Sequence, residues 1–497
     1  MYLNDLQSKS QPSLNGFGGI NTGVSPFNIG DNEATDIFNL SSEKYPAISP
    51  GKDASFLWSN GNEFKITVSG EEVTITEIKY IGALYDGSFF FIGKDSVNYG
   101  LYYRYNDGWR KAEITEKDNY GHAVPVTLWG ENVTGYSATN FSDQETIIVT
   151  GEQMLTVKQK NNSDGIQEVK RYIKDDDEPF PKMPGFVVTK NERLLVASRE
   201  NHDFTISEYQ KAGKYETASD IQVFHVQTEA KQNATALGIF GDVCLYFKRN
   251  STHVLYGKTP LSYSLDAMSH SVGCINHKSI AECETAIMWL AKDGVYAYKA
   301  TTLPYKISLP VQKYIDNMGD DAVAIADNKR YYLSLSQKDG GYVLLVYDTE
   351  FDLWHVEDNP GYTMFTKTEQ EGIIGTDGHT LYRIGVGDVK KKWYFVTKPF
   401  DLSGISGKTN LKSIYLNISA KKGAKIGISI SNDAEGNNFI KIKEKLYIKD
   451  DDEKLKIEMP IDKRLRNMPY FRIKISGAGE AIIHGIELHM RNHNNGY

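Results

Sequence analysis

Long apolar runs and long helical periodicity are both missing from this 497-residue sequence. No segment approaches the roughly 20 consecutive apolar residues that a membrane-spanning helix needs. The opening segment Met1–Ser13 is mostly polar and lacks the apolar region of a secretory signal peptide. The best amphipathic helical segment is the short stretch Leu309–Met318. We therefore expect no membrane insertion, no export by a signal peptide and no helical domain.

Cysteine and an excess of basic residues are also missing. Cys244, Cys274 and Cys283 are too few for a disulfide framework, and no Cys/His spacing indicates a zinc site. We interpret the three residues as small buried apolar side chains. The formal net charge is −8, which is atypical of domains that grip nucleic acid through clustered lysine and arginine.

Tyrosine and glycine are plentiful, with 31 and 43 residues. Tyrosine favours strands, and glycine favours tight turns. One unit recurs: an apolar strand, a tight polar turn, and a second strand rich in tyrosine or leucine. The clearest turns are Asp86-Gly87, Asp293-Gly294 and Asp377-Gly378. A hairpin repeat of roughly 40–50 residues is typical of a β-propeller and predicts about six or seven blades. An array of β-sandwiches is the structural alternative.

The repeat divides the chain into four predicted parts. We expect an N-terminal clasp over residues 1–49, a β-propeller over 50–397, an antiparallel β-sandwich over 398–492 and a frayed tail over 493–497. The clasp is predicted to lie across the propeller and supply a strand, because Phe17–Leu40 carries too many large apolar side chains to stay exposed. A disordered leader is the alternative. The predicted fold class is all-β: a β-propeller followed by a C-terminal antiparallel β-sandwich.

Catalytic motifs are absent from the sequence. It contains no G-x-S-x-G, no H-E-x-x-H and no Walker phosphate loop. His484 and His489 differ by an odd number, so in a regular strand they would face opposite sides, which disfavours a joint metal site. We predict no catalytic, cofactor-binding or metal-binding residues, no cofactor, and a protein that is not an enzyme.

Three further features have a functional and a structural interpretation. Ile173–Glu178 and Ile448–Glu453 both read IKDDDE; carboxylates can ligate Ca²⁺, but neither run has a spaced calcium loop, so we favour solvated turns. Ser431–Phe439 is similar to the Asp-box of sialidase propellers with one inserted residue, and we interpret it as a hairpin turn. Trp109 and Trp354 are expected to pack between blades, with sugar stacking as the alternative.

Several segments together resemble a known family. Val272–Lys299, Tyr342–Val356 and Ile428–Leu488 resemble, in this order, the tail hub proteins of short-tailed bacteriophages, also called packaged-DNA stabilisation proteins. Segments within Gly18–Lys52 resemble the opening of phage propeller proteins of the hub and nozzle type. The similarity is spread over most of the chain and is weakest over Gly130–Gln232.

The resemblance implies a structural virion protein without catalytic residues. It implies a ring, usually of six copies, that lies below the portal and adaptor ring, continues the DNA channel and helps to retain packaged DNA until genome ejection. The implied partners are further copies of the chain, the portal and adaptor, tail fibres, spikes or a tip protein, and genomic DNA that passes without sequence-specific binding. The implied location is the virion tail after assembly in the host cytoplasm. The alternative function is a carbohydrate-binding or carbohydrate-cleaving phage propeller, that is, an adhesin or glycosidase.

Overall fold

The computed structural model describes most of the chain. The described residues are 13–14, 16–58, 64–112, 115–117, 123–125, 129–130, 133, 135–142, 144–159, 165–172, 180–215, 223–226, 228, 231–300, 303–389, 392–401, 408–433, 436, 438–449, 452–461 and 470–493. The predicted run Ile173–Glu178 and the predicted tail from residue 494 onward lie outside them. Among these residues, no helix is long and apolar enough to span a membrane.

Strands account for nearly all of the regular structure. The strands before the repeat are β1 Ser13–Leu14, β2 Ala34–Phe38, β3 Leu40–Ser41, β4 Ser49–Pro50 and β5 Ser55–Phe56. The first blade and its extension contain β6 Phe64–Val68, β7 Glu71–Ile75, β8 Glu77–Ala83, β9 Phe89–Lys94, β10 Tyr99–Tyr105 and β11 Gly108–Lys111, and a separate hairpin contains β12 Thr115–Lys117 and β13 Ala123–Pro125.

Five further blades follow in the same pattern. Blade 2 contains β14 Ser137–Phe141, β15 Glu145–Val149, β16 Met154–Gln159 and β17 Ile166–Arg171. Blade 3 contains β18 Pro184–Lys190, β19 Arg193–Ser198, β20 Asp203–Ile206 and β21 Val223–His225. Blade 4 contains β22 Ala234–Phe240, β23 Val243–Lys248, β24 Thr252–Tyr256 and β25 Ser264–Ser269. Blade 5 contains β26 Ala281–Cys283, β27 Ala286–Leu290, β28 Val295–Tyr298 and β29 Tyr305–Lys306. Blade 6 contains β30 Met318–Ala326, β31 Arg330–Gln337, β32 Tyr342–Asp348 and β33 Leu353–Glu357.

The last strands form blade 7 and the C-terminal sheets. Blade 7 contains β34 Met364–Thr368, β35 Gly372–Thr376 and β36 Leu381–Arg383, with β5 as its fourth strand. The C-terminal strands are β37 Trp393–Thr397, β38 Phe400–Asp401, β39 Lys408–Ala420, β40 Lys425–Ser431, β41 Ile440–Tyr447, β42 Asp452–Pro460, β43 Tyr470–Ala478 and β44 Ala481–His493. The helical segments are the 3₁₀ turns Ser42–Lys44, Pro260–Ser262, His277–Ser279 and Leu309–Val311, and helix α1 Gln312–Asp316. The last two lie within the one segment for which the sequence predicted a short helix.

The seven blades form a closed β-propeller. Their sheets follow chain order and are antiparallel, except that β11 of blade 1 pairs in parallel with β6 of its extension. The innermost strand of blade 7 packs beside the innermost strand of blade 1. Strand β5 pairs with β36, placing Phe56 opposite Tyr382, so the N-terminal part of the chain completes the last blade. The N–H of Ile78 donates to the Gly378 carbonyl at 2.6 Å and further joins the two blades. The predicted propeller of six or seven blades therefore has seven.

Each pair of neighbouring blades buries its own apolar cluster, which is why the ring is continuous. Blade 1 packs on blade 7 through aromatic residues such as Phe91 and Trp109 against Ile374, and the same kind of packing recurs at the other blade interfaces. A single hairpin sheet cannot bury both faces, so stacking of successive sheets supplies the core.

Two antiparallel sheets lie beyond the propeller. One has the order β1-β44-β39-β42, and the other has the order β2-β37-β43-β40-β41, with β38 paired to β43. Residues of both sheets share one buried cluster, including Ile414 on β39 and Ile475 on β43. The second sheet also takes in Ala34–Phe38 and Trp393–Thr397, which lie outside the predicted range 398–492. The predicted boundary at residue 398 rested on the loss of hairpin turns in the sequence. That loss shows where the blades end, but it does not show which sheet the strands on either side join.

The N-terminal segment connects the two parts. Asn39 is buried with a positive φ of 58°, and its N–H donates to the Val356 carbonyl of blade 6 at 2.8 Å. Its side-chain oxygen accepts from the Asp358 N–H at 2.8 Å, while its side-chain nitrogen donates to the Lys392 carbonyl at 2.9 Å. This one side chain thus joins the outer edge of blade 6 to the start of the C-terminal sheets. The strand β2 of the predicted clasp pairs with β37, not with a blade.

Gly19 permits a close approach of this segment to blade 6 of the propeller. Its φ is +75°, and a Cβ there would lie 2.4 Å from the Trp354 carbonyl oxygen. That approach allows the next residue, Ile20, to donate its N–H to the same oxygen at 2.8 Å. Gly87, in one of the predicted turns, has a similar φ of +81° but open space around the Cβ position.

We predict that Gly19→Ala destabilises the protein more than Gly87→Ala does. Both changes put a side chain at positive φ, at a cost of about 1–2 kcal/mol. Gly19→Ala should cost at least about 2 kcal/mol more, because the Ile20 hydrogen bond to Trp354 breaks and leaves buried polar groups unpaired. Urea unfolding followed by tryptophan fluorescence measures the difference. Equal midpoints for the two variants would contradict the close approach.

Candidate functional site

A cavity of about 300 Å³ lies on the propeller axis. It is lined by side chains from the innermost strands of all seven blades, from Tyr80 on β8 to Phe365 on β34. Most of the lining is apolar or aromatic, and the Tyr80 and Tyr136 rings lie 5.6 Å apart at one side. At roughly 30 Å³ of liquid volume per water molecule, the cavity has room for a small ligand or some ten waters.

Ser137 and His277 form the best-defined polar contact in the cavity wall. The Ser137 Oγ lies 3.1 Å from His277 Nε2, and it also accepts the Val187 N–H at 3.3 Å. Burial, together with the nearby cations Arg199 and Lys278, lowers the pKa of His277 to about 4. The imidazole is therefore neutral at physiological pH.

Two charged residues complete the polar part of the wall. Burial lowers the pKa of Lys278 and raises the pKa of Glu282. A serine–histidine pair beside a carboxyl group is a familiar nucleophilic arrangement. Here, however, the His277 Nδ1 has no hydrogen-bond partner among the described residues, so no group holds the ring in the tautomer that a general base needs. The pair fits a structural hydrogen bond between blades better than a catalytic dyad.

A second cavity, of about 390 Å³, opens between blades 7 and 1. Its wall includes Trp58, Arg104, Asp107 and Glu371. An aromatic ring beside polar groups is the usual form of a sugar subsite. The Arg104 guanidinium, however, lies 5.1 Å from the Trp58 ring centroid and covers one face of the ring. A sugar ring could stack on that face only after the arginine side chain had moved.

The two tryptophans and three cysteines that the sequence analysis singled out are all buried. Trp354 is 1% exposed, and its Nε1 donates to the Ile307 carbonyl at 2.9 Å, which joins blades 5 and 6. Trp109 is buried in the cluster between blades 1 and 7. The predicted packing of both between blades is what the structure shows. Cys244, Cys274 and Cys283 are all free and buried, and burial raises the pKa of each thiol.

The predicted orientation of His484 and His489 is wrong. Strand β44 shifts register between Ile483 and Gly485, and this bulge changes the alternation, so that Ile483 and Leu488 are both buried. Both histidines consequently fall on the less buried face of the strand. They still form no joint site, because His484 contacts Ser419 at 2.8 Å and His489 contacts Ser413 at 3.4 Å.

The polar turns are described only in part. Within Ser431–Phe439, which connects the paired strands β40 and β41, the Gly436 N–H donates to Asp433 Oδ1 at 2.8 Å, as expected for a turn. Within Ile448–Glu453, Ile448 is buried and Lys449 is exposed, whereas Asp450 and Asp451 lie outside the described residues. The interpretation of the two IKDDDE runs as solvated turns therefore stays a prediction.

One cluster escaped the sequence analysis altogether. Asp203 and His225, on the two outer strands of blade 3, and His202, in the bend before β20, offer ligand atoms that all lie within 4.8 Å of one another. The only sequence signal is the adjacent pair His202-Asp203; His225 follows 22 residues after Asp203. Strand pairing places Asp203 directly opposite His225, and the sequence gives no means of fixing that register.

Comparisons with known proteins bear on the fold only. No family model matches the chain, and no curated protein matches its sequence. Among solved structures, the chain is similar to a streptogramin B lyase, with 9% identity over 64% of this chain and 95% of the other, and a TM-score of 0.40. It is also similar to YCF48 from Cyanidioschyzon merolae, with 11% identity over 62% and 96% of the two chains and a TM-score of 0.37. The computationally designed protein Ika8 matches with 10% identity over 75% and 99%, and a TM-score of 0.38. These similarities are too remote to indicate an activity, and the β-propeller assignment rests on the seven closed sheets themselves.

We predict that His277 makes the protein less stable in acid. The pKa of His277 in the folded state is about 4, below the ordinary 6.5. The contribution of neutral His277 to the free energy of unfolding is therefore complete above pH 6.5 and is lost as the pH falls towards 4. A pKa shift of this size corresponds to about 3 kcal/mol of unfolding free energy for a site without water. Because the ring lines a cavity that water can enter, we expect a loss of about 2 kcal/mol. Urea unfolding of the wild type and His277→Gln at pH 7 and pH 4.5 measures it. The exposed His270, as His270→Gln, serves as the control and should leave the pH dependence unchanged.

Proposed function

We propose that this protein is a structural component of a phage tail and forms a hub or nozzle ring, usually of six copies, below the portal and adaptor. The observation that supports the proposal is the resemblance of Val272–Lys299, Tyr342–Val356 and Ile428–Leu488, in this order, to the hub family. These segments lie in blade 5, in blade 6 and in the C-terminal sheets. A rigid propeller suits a ring subunit, because its loops can vary without disturbing the sheets that hold them.

The size of the axial cavity limits where DNA could pass in the proposed hub. Side chains of the seven inner strands reduce the axis to about 300 Å³, far too little for a double helix whose major groove alone is about 12 Å wide. A DNA channel would therefore have to lie between copies of the chain and not through one propeller. The net charge of −8 favours a wall along which DNA slides, since clustered basic residues would hold the phosphates.

Two exposed leucines on one face of the propeller offer a contact surface for a second copy. Leu261 is 97% exposed and Leu303 is 70% exposed. Both lie in the connection between the third and fourth strands of neighbouring blades, 4 and 5, which places them on the same face of the propeller. Apolar side chains that group on one face mark interaction sites, whereas single exposed ones are common on any protein surface. The equivalent places of the two leucines in adjacent blades support such a grouping. A contact that every copy makes with the next in the same way forms a ring when the rotation between copies closes, as the hub proposal requires.

We predict that the double substitution Leu261→Asp/Leu303→Asp abolishes ring formation. Native mass spectrometry and negative-stain imaging of the full chain should show rings of six copies for the wild type, alone or with the adaptor protein, and single chains for the variant. Val97, which is 73% exposed on blade 1, provides the matched control: Val97→Asp should leave the rings intact. A wild type that stays a single chain under both conditions would contradict the hub proposal.

The alternative proposal is a carbohydrate-binding or carbohydrate-cleaving propeller. The cavity containing Trp58 and Arg104 supports it, although the arginine covers one face of the indole ring. Glycan-array binding by a protein that stays a single chain, abolished by Trp58→Ala, would favour this function over the hub. Cleavage would further require two carboxyl groups about 5–9 Å apart on either side of the sugar.

A further inference from the structure

The outer edge of blade 3 carries two imidazoles and one carboxylate in one place. Asp203 on β20 is paired with His225 on β21, and the His225 Nδ1 lies 2.6 Å from Asp203 Oδ1. His202 lies in the bend before β20, and its ring centroid is 6.2 Å from that of His225. Opposite residues of an antiparallel pair project from the same face, and the bend brings the His202 ring to that face as well.

We propose that His202, Asp203 and His225 bind a divalent transition metal ion of the zinc type. Two imidazoles and a carboxylate are a common ligand set for such ions, with a fourth position left for water. Around a tetrahedral ion with bonds of about 2 Å, ligand atoms lie roughly 3.3 Å apart. The three ligand atoms here lie within 4.8 Å of one another, so small side-chain rotations bring them to bonding distance.

Asn201 orients the carboxylate towards the histidines. Its side-chain nitrogen donates to Asp203 Oδ2 at 2.9 Å, and its side-chain oxygen accepts the Asp203 N–H at 2.8 Å. Asp203 Oδ1 is thereby directed at His225. Such a residue behind a ligand fixes the ligand's orientation and contributes to the affinity for the metal.

The ligand atoms of the cluster are accessible to solvent, so a metal ion can reach them and the protons that it displaces can be released. The His225 side chain is 63% exposed and that of Asp203 is 32% exposed, so solvent reaches the ligands directly. Imidazole binds metal only when neutral, and binding must therefore weaken as the pH falls. A bound ion would connect β20 to β21, which has only three residues and forms the outer edge of the blade.

The test is a titration of the full chain, freed of any histidine tag and stripped of metal, with Zn²⁺ in competition with a coloured chelator. We expect one equivalent to bind, with His225→Ala weakening the binding by roughly 100-fold and Asn201→Ala by about 10-fold. His270→Ala, which removes an exposed histidine of the neighbouring blade, should bind as the wild type does. Co²⁺ should give the visible absorption of a tetrahedral site in the wild type, and this absorption should be lost in His225→Ala.

Three results would overturn the proposal: no equivalent bound at pH 7.5, binding that His225→Ala leaves unchanged, or binding that His270→Ala weakens equally. If His225→Ala fails to fold, as judged by circular dichroism, His202→Gln replaces it with the same expected loss. The site does not depend on the hub function, since metal binding by a single chain and ring formation are measured separately.

Discussion

The packing of the propeller against the C-terminal sheets depends on the hydrogen bonds of Asn39. An outer strand of a propeller blade leaves a row of unpaired N–H and C=O groups, and such edges are vulnerable to unwanted pairing. In blade 6 the N-terminal segment covers this edge: Asn39 and Ile20 donate their N–H groups to Val356 and Trp354. The same segment then adds β2 to the C-terminal sheet and β5 to blade 7. One stretch of chain thus covers an edge, closes the ring and connects the two parts.

The apolar packing around this segment makes the connection rigid. Phe17 and Ile37 are buried in the cluster that also contains Trp354 of blade 6 and Phe395 of the C-terminal sheet. Because the two parts share a core through this segment, movement of one relative to the other would expose large apolar side chains to water. In the proposed hub ring, such continuity would transmit load from the propeller to the C-terminal sheets.

Sequence reasoning identified what is local and missed what depends on pairing. The all-β class and a propeller of about six or seven blades followed from alternation and from turns such as Asp377-Gly378, where Gly378 does have a positive φ of 94°. The destination of β2 could not be read from its five residues, because an alternating strand does not specify its partner. The bulge that turns His484 and His489 to one face, and the pairing that brings His225 to Asp203, are decided by register. Register is a property of two strands, and periodicity describes only one.

The chemistry of the molecule lies at its edges and not on its axis. On the axis, seven inner strands converge, and burial holds His277 neutral and lowers the pKa of Lys278; such groups stabilise the closed ring only while they remain uncharged or paired. At the outer edge of blade 3, by contrast, ionisable ligands stand in solvent, where exchanging protons for a metal ion costs little. A propeller whose axis leaves only a cavity of about 300 Å³ can contact a macromolecular partner, such as a second copy of the chain, only through its rim and its faces.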